Sequence, residues 1–148
     1  MTPDERLAQL EGGNSPQIIA KLKSGFAVMA DTQFLRGYCL LLAFPKVGQL
    51  NELEGEARAE FLSDMAKLGD AVQQATGAVR INYSIYGNLD PFLHAHVFPR
   101  FVDEDPVHRT APPFLYPPSI REDPALGFDE SEHGELRDQI RELLIGLG

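Results

Sequence analysis

Two of the four histidines in the chain, His94 and His96, are separated by one residue within an apolar stretch. If this stretch is a β-strand, residues i and i+2 project from the same face of the sheet. The two imidazoles would then lie side by side, while Leu93, Ala95 and Val97 would point to the opposite face, towards a core. We therefore treat residues 90–100 as the part of the sequence that carries any chemistry.

A pair of adjacent imidazoles is open to three interpretations. The two rings could be structural, bonded to backbone or solvent. They could bind a metal ion, which needs at least a third ligand, but the other two histidines, His108 and His133, lack ligand spacing. They could also be catalytic, since a neutral imidazole is a nucleophile near pH 7 and its neighbour can donate a hydrogen bond to phosphate oxygens. We predict no protein-bound metal.

The composition limits the class of protein. With 148 residues and 43% apolar residues, we expect one globular domain spanning residues 1–148. The net charge of −9 argues against binding of long nucleic acids. No apolar segment approaches the roughly 18–20 residues of a membrane span, and the acidic N-terminus does not resemble a signal peptide. Cys39, the single cysteine, lies in an apolar run and is expected to be a buried small hydrophobe. We predict a cytoplasmic protein.

Hydrophobic periodicity and turn residues predict an antiparallel sheet and three helices. Thr2, Pro3 and Glu5 have the pattern of a capping box at the start of the first helix. Asn51 and the acidic residues beside it are expected to cap the long helix. The predicted core, about residues 17–101, contains strands at 26–31, 38–44, 79–86 and 92–101 and the long helix at about 54–76. A proline-rich arm at 103–128 and a helix at 130–147 follow it.

The stretch Leu93-His94-Ala95-His96-Val97-Phe98-Pro99-Arg100 resembles the signature of the histidine triad superfamily of nucleotide hydrolases and transferases. That signature alternates three histidines with apolar residues and is often followed by Pro-Arg. The order of strands and helix is also similar, so the resemblance covers about residues 25–101. It implies an α+β fold with roughly five antiparallel strands, one long helix packed on the sheet, and a C-terminal helix. It also implies a homodimer.

The register of the signature assigns different roles to the two histidines. Anchoring on Pro99 and Arg100 makes His96 the third histidine of the triad and His94 the middle one. The resemblance then implies that His94 attacks the α-phosphorus and carries the nucleotidyl group, while His96 binds phosphate oxygens. The first position is occupied by Phe92, which has no hydrogen-bonding group in its side chain. Something else must orient His94, and a backbone carbonyl is one candidate.

Three further residues are candidate substrate contacts by the same resemblance. Asp31 lies near the position of a residue that bonds the ribose hydroxyls, and its alternative role is a turn cap. Asn88 corresponds to an amide residue near the phosphates, and its alternative is ordinary turn chemistry. Asn82 is a weaker candidate that could instead bond a neighbouring loop. Arg100 could aid phosphate binding, but we expect it to be solvated at a strand end. Tyr38 occupies a position where the family commonly has histidine.

The resemblance therefore implies a nucleotide phosphohydrolase or nucleotidyl transferase. Its expected substrate is a purine nucleotide substituted at the α-phosphate, either a dinucleoside polyphosphate or a nucleoside phosphoramidate. No cofactor is expected, and any divalent metal would arrive with the substrate. The alternative is a nucleotide-binding or interaction protein of the same fold with weak catalysis. A metal-binding protein that uses His94 and His96 is a third interpretation.

Overall fold

Five antiparallel strands form a sheet that has helices on both faces, so the fold is α+β as predicted. The computed structural model describes residues 1–147. The strands are β1 (Ile18–Lys21), β2 (Gly25–Met29), β3 (Cys39–Ala43), β4 (Arg80–Ile85) and β5 (His94–Arg100). The helices are α1 (Pro3–Glu11), α2 (Gly55–Thr76), α3 (Pro118–Arg121) and α4 (Glu130–Leu147). Across the sheet the strand order is β1, β2, β3, β5, β4.

The central strand of the sheet is β3, as its uninterrupted apolar sequence predicts. It pairs antiparallel with β2 on one side and with β5 on the other. Cys39, at its start, is fully buried and is a free thiol, which confirms the expected hydrophobic role. The histidine strand β5 is thus held between β3 and β4, where both of its edges are paired.

One face of the sheet is covered by α2 and α4. Phe61, Leu68 and Val72 of α2 lie in one buried cluster with Leu41 and Val97 of the sheet. Gly77 ends α2 in a left-handed conformation (φ 74°), which a residue with a side chain rarely adopts. The prediction that Asn51 caps the long helix is wrong. Residues Leu50–Glu52 form a separate 3₁₀ turn, and α2 begins after Glu54.

The opposite face of the sheet carries α1 at one end. The predicted capping box is present, since the Thr2 hydroxyl accepts from the Glu5 amide and the Glu5 carboxylate accepts from the Thr2 amide. Leu7 and Leu10 of α1 are buried in a cluster with Phe92 and with neighbouring residues of β2 and β3. The N-terminal helix therefore covers Phe92, which lies two residues before the histidine strand.

The proline-rich arm, residues 103–128, packs on its own domain at the other end of this face. Tyr116 is buried with Tyr38 and Phe98, and Phe114 packs against them. The arm contains the 3₁₀ turns Pro113–Leu115 and Pro124–Leu126 as well as α3. The face between α1 and the arm is where His94 and His96 lie.

The expectation of a solvated Arg100 is wrong, because this residue is only 6% exposed and fastens the arm to the sheet. Its guanidinium donates to the Glu104 carboxylate (3.0 Å), to Asn82 Oδ1 (2.8 Å) and to the carbonyl oxygen of Ala111 (2.7 Å). The Tyr116 hydroxyl donates to the same carboxylate. Buried ionic groups need such partners, so the arm supplies hydrogen-bond acceptors that β5 alone would not offer to the Arg100 guanidinium.

Within residues 1–147, no helix combines the length and hydrophobicity needed to cross a bilayer.

Candidate active site

The two histidines occupy adjacent same-face positions of β5. His94 pairs with Leu42 of β3, and His96 pairs with Leu40 of β3 and with Ser84 of β4. The intervening Ala95 is fully buried on the α2 side, as the strand interpretation predicts. The two imidazole rings are 5.1 Å apart between centroids, and their planes are inclined at 68° to each other. The sheet thus presents two imidazoles to the same space.

The orientation of His94 is fixed by the backbone. Its Nδ1 lies 2.8 Å from the carbonyl oxygen of Phe92. Because a carbonyl can only accept, Nδ1 carries a proton, and in the neutral ring the lone pair is then on Nε2. Nε2 has no hydrogen-bond partner within residues 1–147. The Phe92 ring stacks on the His94 ring at 4.7 Å between centroids, so it holds the imidazole by packing as well.

His96 lies deeper and is held by a side chain. Its Nδ1 is 2.7 Å from the hydroxyl oxygen of Tyr38. Burial, together with the electrostatic effect of the neighbouring His94, lowers the pKa of His96 to about 4. His96 is therefore neutral at pH 7, and it can act as a hydrogen-bond donor without carrying a charge.

A small pocket of about 160 Å³ opens in front of both imidazoles. Its walls are the first residues of α1, the side chains of Leu40 and Leu42, and Phe92. Asp31 lies at its rim, so the fold brings this predicted residue together with His94 and His96. The pocket is smaller than the roughly 300–1,000 Å³ of typical small-molecule sites.

The Asp31 carboxylate already has partners. Arg6 of α1 donates to it at 3.0 Å, and Gln17 donates to it at 2.7 Å. Burial raises the pKa of Asp31, but the hydrogen bonds from Gln17 and Arg6 outweigh it and hold the pKa below its usual range. The carboxylate is therefore charged at neutral pH, and a ribose hydroxyl would compete with Arg6 for it.

The two asparagines lie away from the pocket. Asn82 is on the same face of the sheet, but its side-chain oxygen accepts from Arg100. Asn88 is exposed in the turn between β4 and β5, and it is not among the residues that line the pocket. Their proposed contacts with substrate remain predictions.

A second, larger space of about 840 Å³ lies between β4 and the proline-rich arm. It adjoins His96 through two aromatic residues that the motif does not include. Phe114 meets the His96 ring edge-to-face at 5.1 Å, and Tyr86 lies 6.1 Å from it. Arg80 and Arg109 also line this groove. Tyr86 ends a predicted strand, and Phe114 lies in an arm that has no hydrophobic periodicity. No local sequence pattern therefore predicted that either residue contacts His96.

The other two histidines have local contacts elsewhere. His133 Nδ1 accepts a hydrogen bond from the Asp129 amide at the start of α4, and His108 packs against Tyr116 at 4.5 Å. Within residues 1–147, no three or more His, Cys, Asp and Glu side chains are grouped so that they could hold a metal ion.

The chain has the fold of the histidine triad proteins, which confirms the predicted fold. A histidine triad protein from Sinorhizobium meliloti superposes with a TM-score of 0.73 over 94% of this chain and 93% of its own, at 22% identity. A histidine triad protein from Marinobacter aquaeolei superposes with a TM-score of 0.74 over 97% of this chain and 96% of its own, at 17% sequence identity. A hypothetical histidine triad nucleotide-binding protein from Sulfolobus tokodaii superposes with a TM-score of 0.71 over 95% of this chain and 91% of its own, at 14% sequence identity.

Neither a protein-family model nor a curated protein sequence matches the chain. The relationship is thus visible in the arrangement of strands and helices and in the short histidine motif. At these identities the structural similarity establishes the fold, and the chemistry has to be argued from the site itself.

Proposed function

We propose that this protein is a nucleotide hydrolase or nucleotidyl transferase in which His94 is the nucleophile. The observation that carries the proposal is the hydrogen bond from His94 Nδ1 to the Phe92 carbonyl oxygen. It leaves the Nε2 lone pair free on the face that borders the pocket, beside a neutral His96. A neutral imidazole with a fixed tautomer is suited to attack phosphorus at neutral pH.

The reaction has two steps. His94 Nε2 forms a bond to the α-phosphorus while the bond from phosphorus to the leaving group breaks, and the leaving group departs with that electron pair. Water then attacks phosphorus and gives up a proton to solvent, while the P–N bond breaks and its electron pair returns to His94 Nε2. This step releases the nucleoside monophosphate and restores the imidazole. His96 donates a hydrogen bond to the phosphate oxygens as negative charge develops on them.

Asp31 is the proposed partner of the ribose hydroxyls, and a purine is the proposed base. The carboxylate is charged and lies on the same pocket rim as the histidines. Since the pocket holds only about 160 Å³, a whole nucleotide must extend beyond it or displace the first residues of α1.

The groove beside His96 supports a dinucleoside polyphosphate over a phosphoramidate with a small leaving group. Tyr86 and Phe114 offer aromatic surface for a second base, and Arg80 and Arg109 offer positive charge for the polyphosphate. Phe114→Ala should therefore raise KM for a diadenosine polyphosphate several-fold more than KM for adenosine phosphoramidate. Leu115→Ala, at an exposed neighbouring position, is the matched control. Equal effects of Phe114→Ala on both substrates would contradict this assignment.

The proposed chemistry needs no redox cofactor. Any divalent metal would be bound by the polyphosphate of the substrate, whose oxygens are suitable ligands for Mg²⁺. The chemistry is thus assigned to the two histidines alone.

A nucleotide-binding protein with weak catalysis is the second candidate. The small pocket and the ion pair between Arg6 and Asp31 favour it, because both oppose full engagement of a nucleotide. The comparison of wild type with His94→Ala decides between the two candidates. The assay incubates each protein with adenosine phosphoramidate or a diadenosine polyphosphate and follows AMP release, with His108→Ala as the control.

Turnover that is lost in His94→Ala and kept in His108→Ala is the expected result. Nucleotide binding by wild type without turnover would instead support the second candidate. Turnover that survives in His94→Ala would overturn the assignment of the nucleophile.

We also propose that the protein is a cytoplasmic homodimer. The outer edge of β4, which no strand within residues 1–147 pairs with, supports the homodimer, because unpaired strand edges invite pairing. The apolar residues Val79 and Val102 beside this edge are 58% and 65% exposed. Both also line the groove between β4 and the arm, so a partner subunit paired there would form one wall of that groove. Light scattering should give twice the monomer mass, and Val79→Lys should lower it. A monomeric wild type would contradict the proposal.

A further inference from the structure

Tyr38 contacts His96 but does not line the pocket in front of the two imidazoles. Its hydroxyl oxygen is 2.7 Å from His96 Nδ1, and the residue is only 5% exposed. The Tyr38 ring stacks on Phe98 at 4.2 Å between centroids. The residue immediately precedes β3, and its backbone oxygen accepts from the Ala30 amide (3.0 Å) and from Gln33 (2.9 Å). Ring and backbone are thus both fixed, so the hydroxyl has a defined position.

The direction of the hydrogen bond follows from the inventory of donors and acceptors. If Nδ1 carried the proton, the Tyr38 hydroxyl would accept it, and its own hydrogen would then need another acceptor. Within residues 1–147, the Tyr38 hydroxyl has no hydrogen-bond partner other than His96. A buried hydroxyl hydrogen without an acceptor costs free energy. The arrangement that satisfies both groups has Tyr38 donating to Nδ1.

This direction determines what His96 presents to the pocket. A neutral imidazole that accepts at Nδ1 carries its proton on Nε2. Nε2 of His96 has no partner in the described part of the chain. His94 has the reverse arrangement, with the proton on Nδ1 and the lone pair on Nε2. The two rings therefore offer one acceptor and one donor to the same space, which is the pair that attack and charge stabilisation require.

We propose that Tyr38 is the positioning residue of this site: its hydroxyl holds His96 in the Nε2–H tautomer, so that His96 donates to the oxyanion of the substrate. This role rests on the proposed function for its purpose, but the tautomer is a property of the protein alone. Tyr38 does not touch the substrate in this scheme; it acts through His96. Burial raises the pKa of Tyr38 above its usual range, so the phenol keeps the proton that it donates.

The test is ¹⁵N NMR of the imidazole nitrogens at pH 7 in wild type and in Tyr38→Phe, which removes the hydroxyl and keeps the ring that packs on Phe98. Wild-type His96 should be a single Nε2–H tautomer. In Tyr38→Phe the spectrum should show a mixture of tautomers. Tyr83→Phe is the matched control, because Tyr83 faces α2 near Gly69 and should leave the His96 signals unchanged.

Kinetics adds a second readout. Loss of one positioning hydrogen bond should lower kcat about three- to tenfold in Tyr38→Phe, which corresponds to about 0.7–1.4 kcal/mol, with little change in KM. A wild-type spectrum with the proton on Nδ1 would overturn the proposal even if Tyr38→Phe does not fold. An unchanged tautomer in a folded Tyr38→Phe would also overturn it. If wild type shows no turnover, the proposed function fails, whereas the tautomer result still decides the role of Tyr38.

Discussion

The residue at the first position of the motif, Phe92, orients His94 with its backbone, because its carbonyl oxygen accepts from His94 Nδ1 at 2.8 Å. Any residue can supply that carbonyl, so the hydrogen bond does not depend on a histidine side chain there. The Phe92 ring is 6% exposed and packs with Leu7 and Leu10 of α1. The side chain at this position thus joins the N-terminal helix to the histidine strand.

Phe92→His should therefore destabilise the protein without improving it as an enzyme. An imidazole placed in this apolar cluster loses burial of an aromatic ring and gains polar atoms without partners, which costs about 1–3 kcal/mol. Urea unfolding measures this loss, and Phe92→Leu, which stays apolar, is the control. A rise in kcat of more than tenfold in Phe92→His would show that the missing histidine side chain does limit the chemistry.

Arg6→Met should tighten nucleotide binding. Arg6 and a ribose would compete for the Asp31 carboxylate, and an exposed ion pair of this kind contributes about 0.2–1 kcal/mol. Its removal should lower Kd for AMP by up to about fivefold, as measured by calorimetry. Lys46→Met breaks another exposed ion pair to α1, at Asp4, and should leave Kd unchanged. Weaker binding in Arg6→Met would mean that Arg6 itself contacts the nucleotide.

Arg100→Met should unfold more easily than wild type by about 3–5 kcal/mol, because it leaves the buried Glu104 carboxylate without its partner. Urea unfolding measures this change. The double variant Arg100→Met with Glu104→Gln should recover part of the loss, since the unpaired charge is gone. Arg109→Met, which removes an exposed arginine, should cost less than about 1 kcal/mol. A comparable loss in both arginine variants would contradict a specific role for Arg100.

Stability should fall with acid partly through His96. Its pKa is lowered from 6.5 to about 4 in the folded protein, so between these values the unfolded chain binds a proton that the folded chain does not. The contribution of His96 to the free energy of unfolding is then fully present above pH 6.5. This contribution is lost as the pH falls towards 4. The contribution is on the order of 1–3 kcal/mol.

The measurement is urea unfolding of wild type and His96→Gln at pH 7.0, 5.5 and 4.5. The loss of stability on acidification should be smaller in His96→Gln, because that variant has no imidazole to protonate at this position. His108→Gln controls for the loss of a histidine outside the sheet face. Parallel pH profiles for wild type and His96→Gln would contradict the lowered pKa.

The sequence predicted the sheet, the long helix and the facing of the histidines because each depends on local periodicity. His94 and His96 alternate with Ala95, and one buried face is enough to fix which way they point. The sequence did not predict β1, because this strand has only four residues and ends at an exposed Lys21. A strand this short is defined by its pairing with β2, which no local pattern contains.

The walls of the site could not be predicted from the same patterns. Tyr38 precedes β3, whereas Phe114 lies in a proline-rich arm, and both approach His96 only after the chain has closed over long distances in sequence. Arg100 was expected to be solvated because the motif says nothing about Glu104 and Ala111, which bury it. In each of these cases a partner outside the motif determines where the side chain lies.

The hydrogen bonds between Arg100 and the arm also determine how far a fragment must extend in order to keep the site intact. The motif and its surrounding elements end near residue 101, yet the polar partners of this guanidinium extend to Ala111 and the aromatic wall extends to Phe114. The N-terminal boundary is set in the same way, because α1 packs on Phe92 and its residue Arg6 lines the pocket. A fragment cut to the recognisable motif region would keep both imidazoles but expose the buried guanidinium and lose the walls around them. Screens for activity in such chains should use boundaries drawn from contacts rather than from the motif.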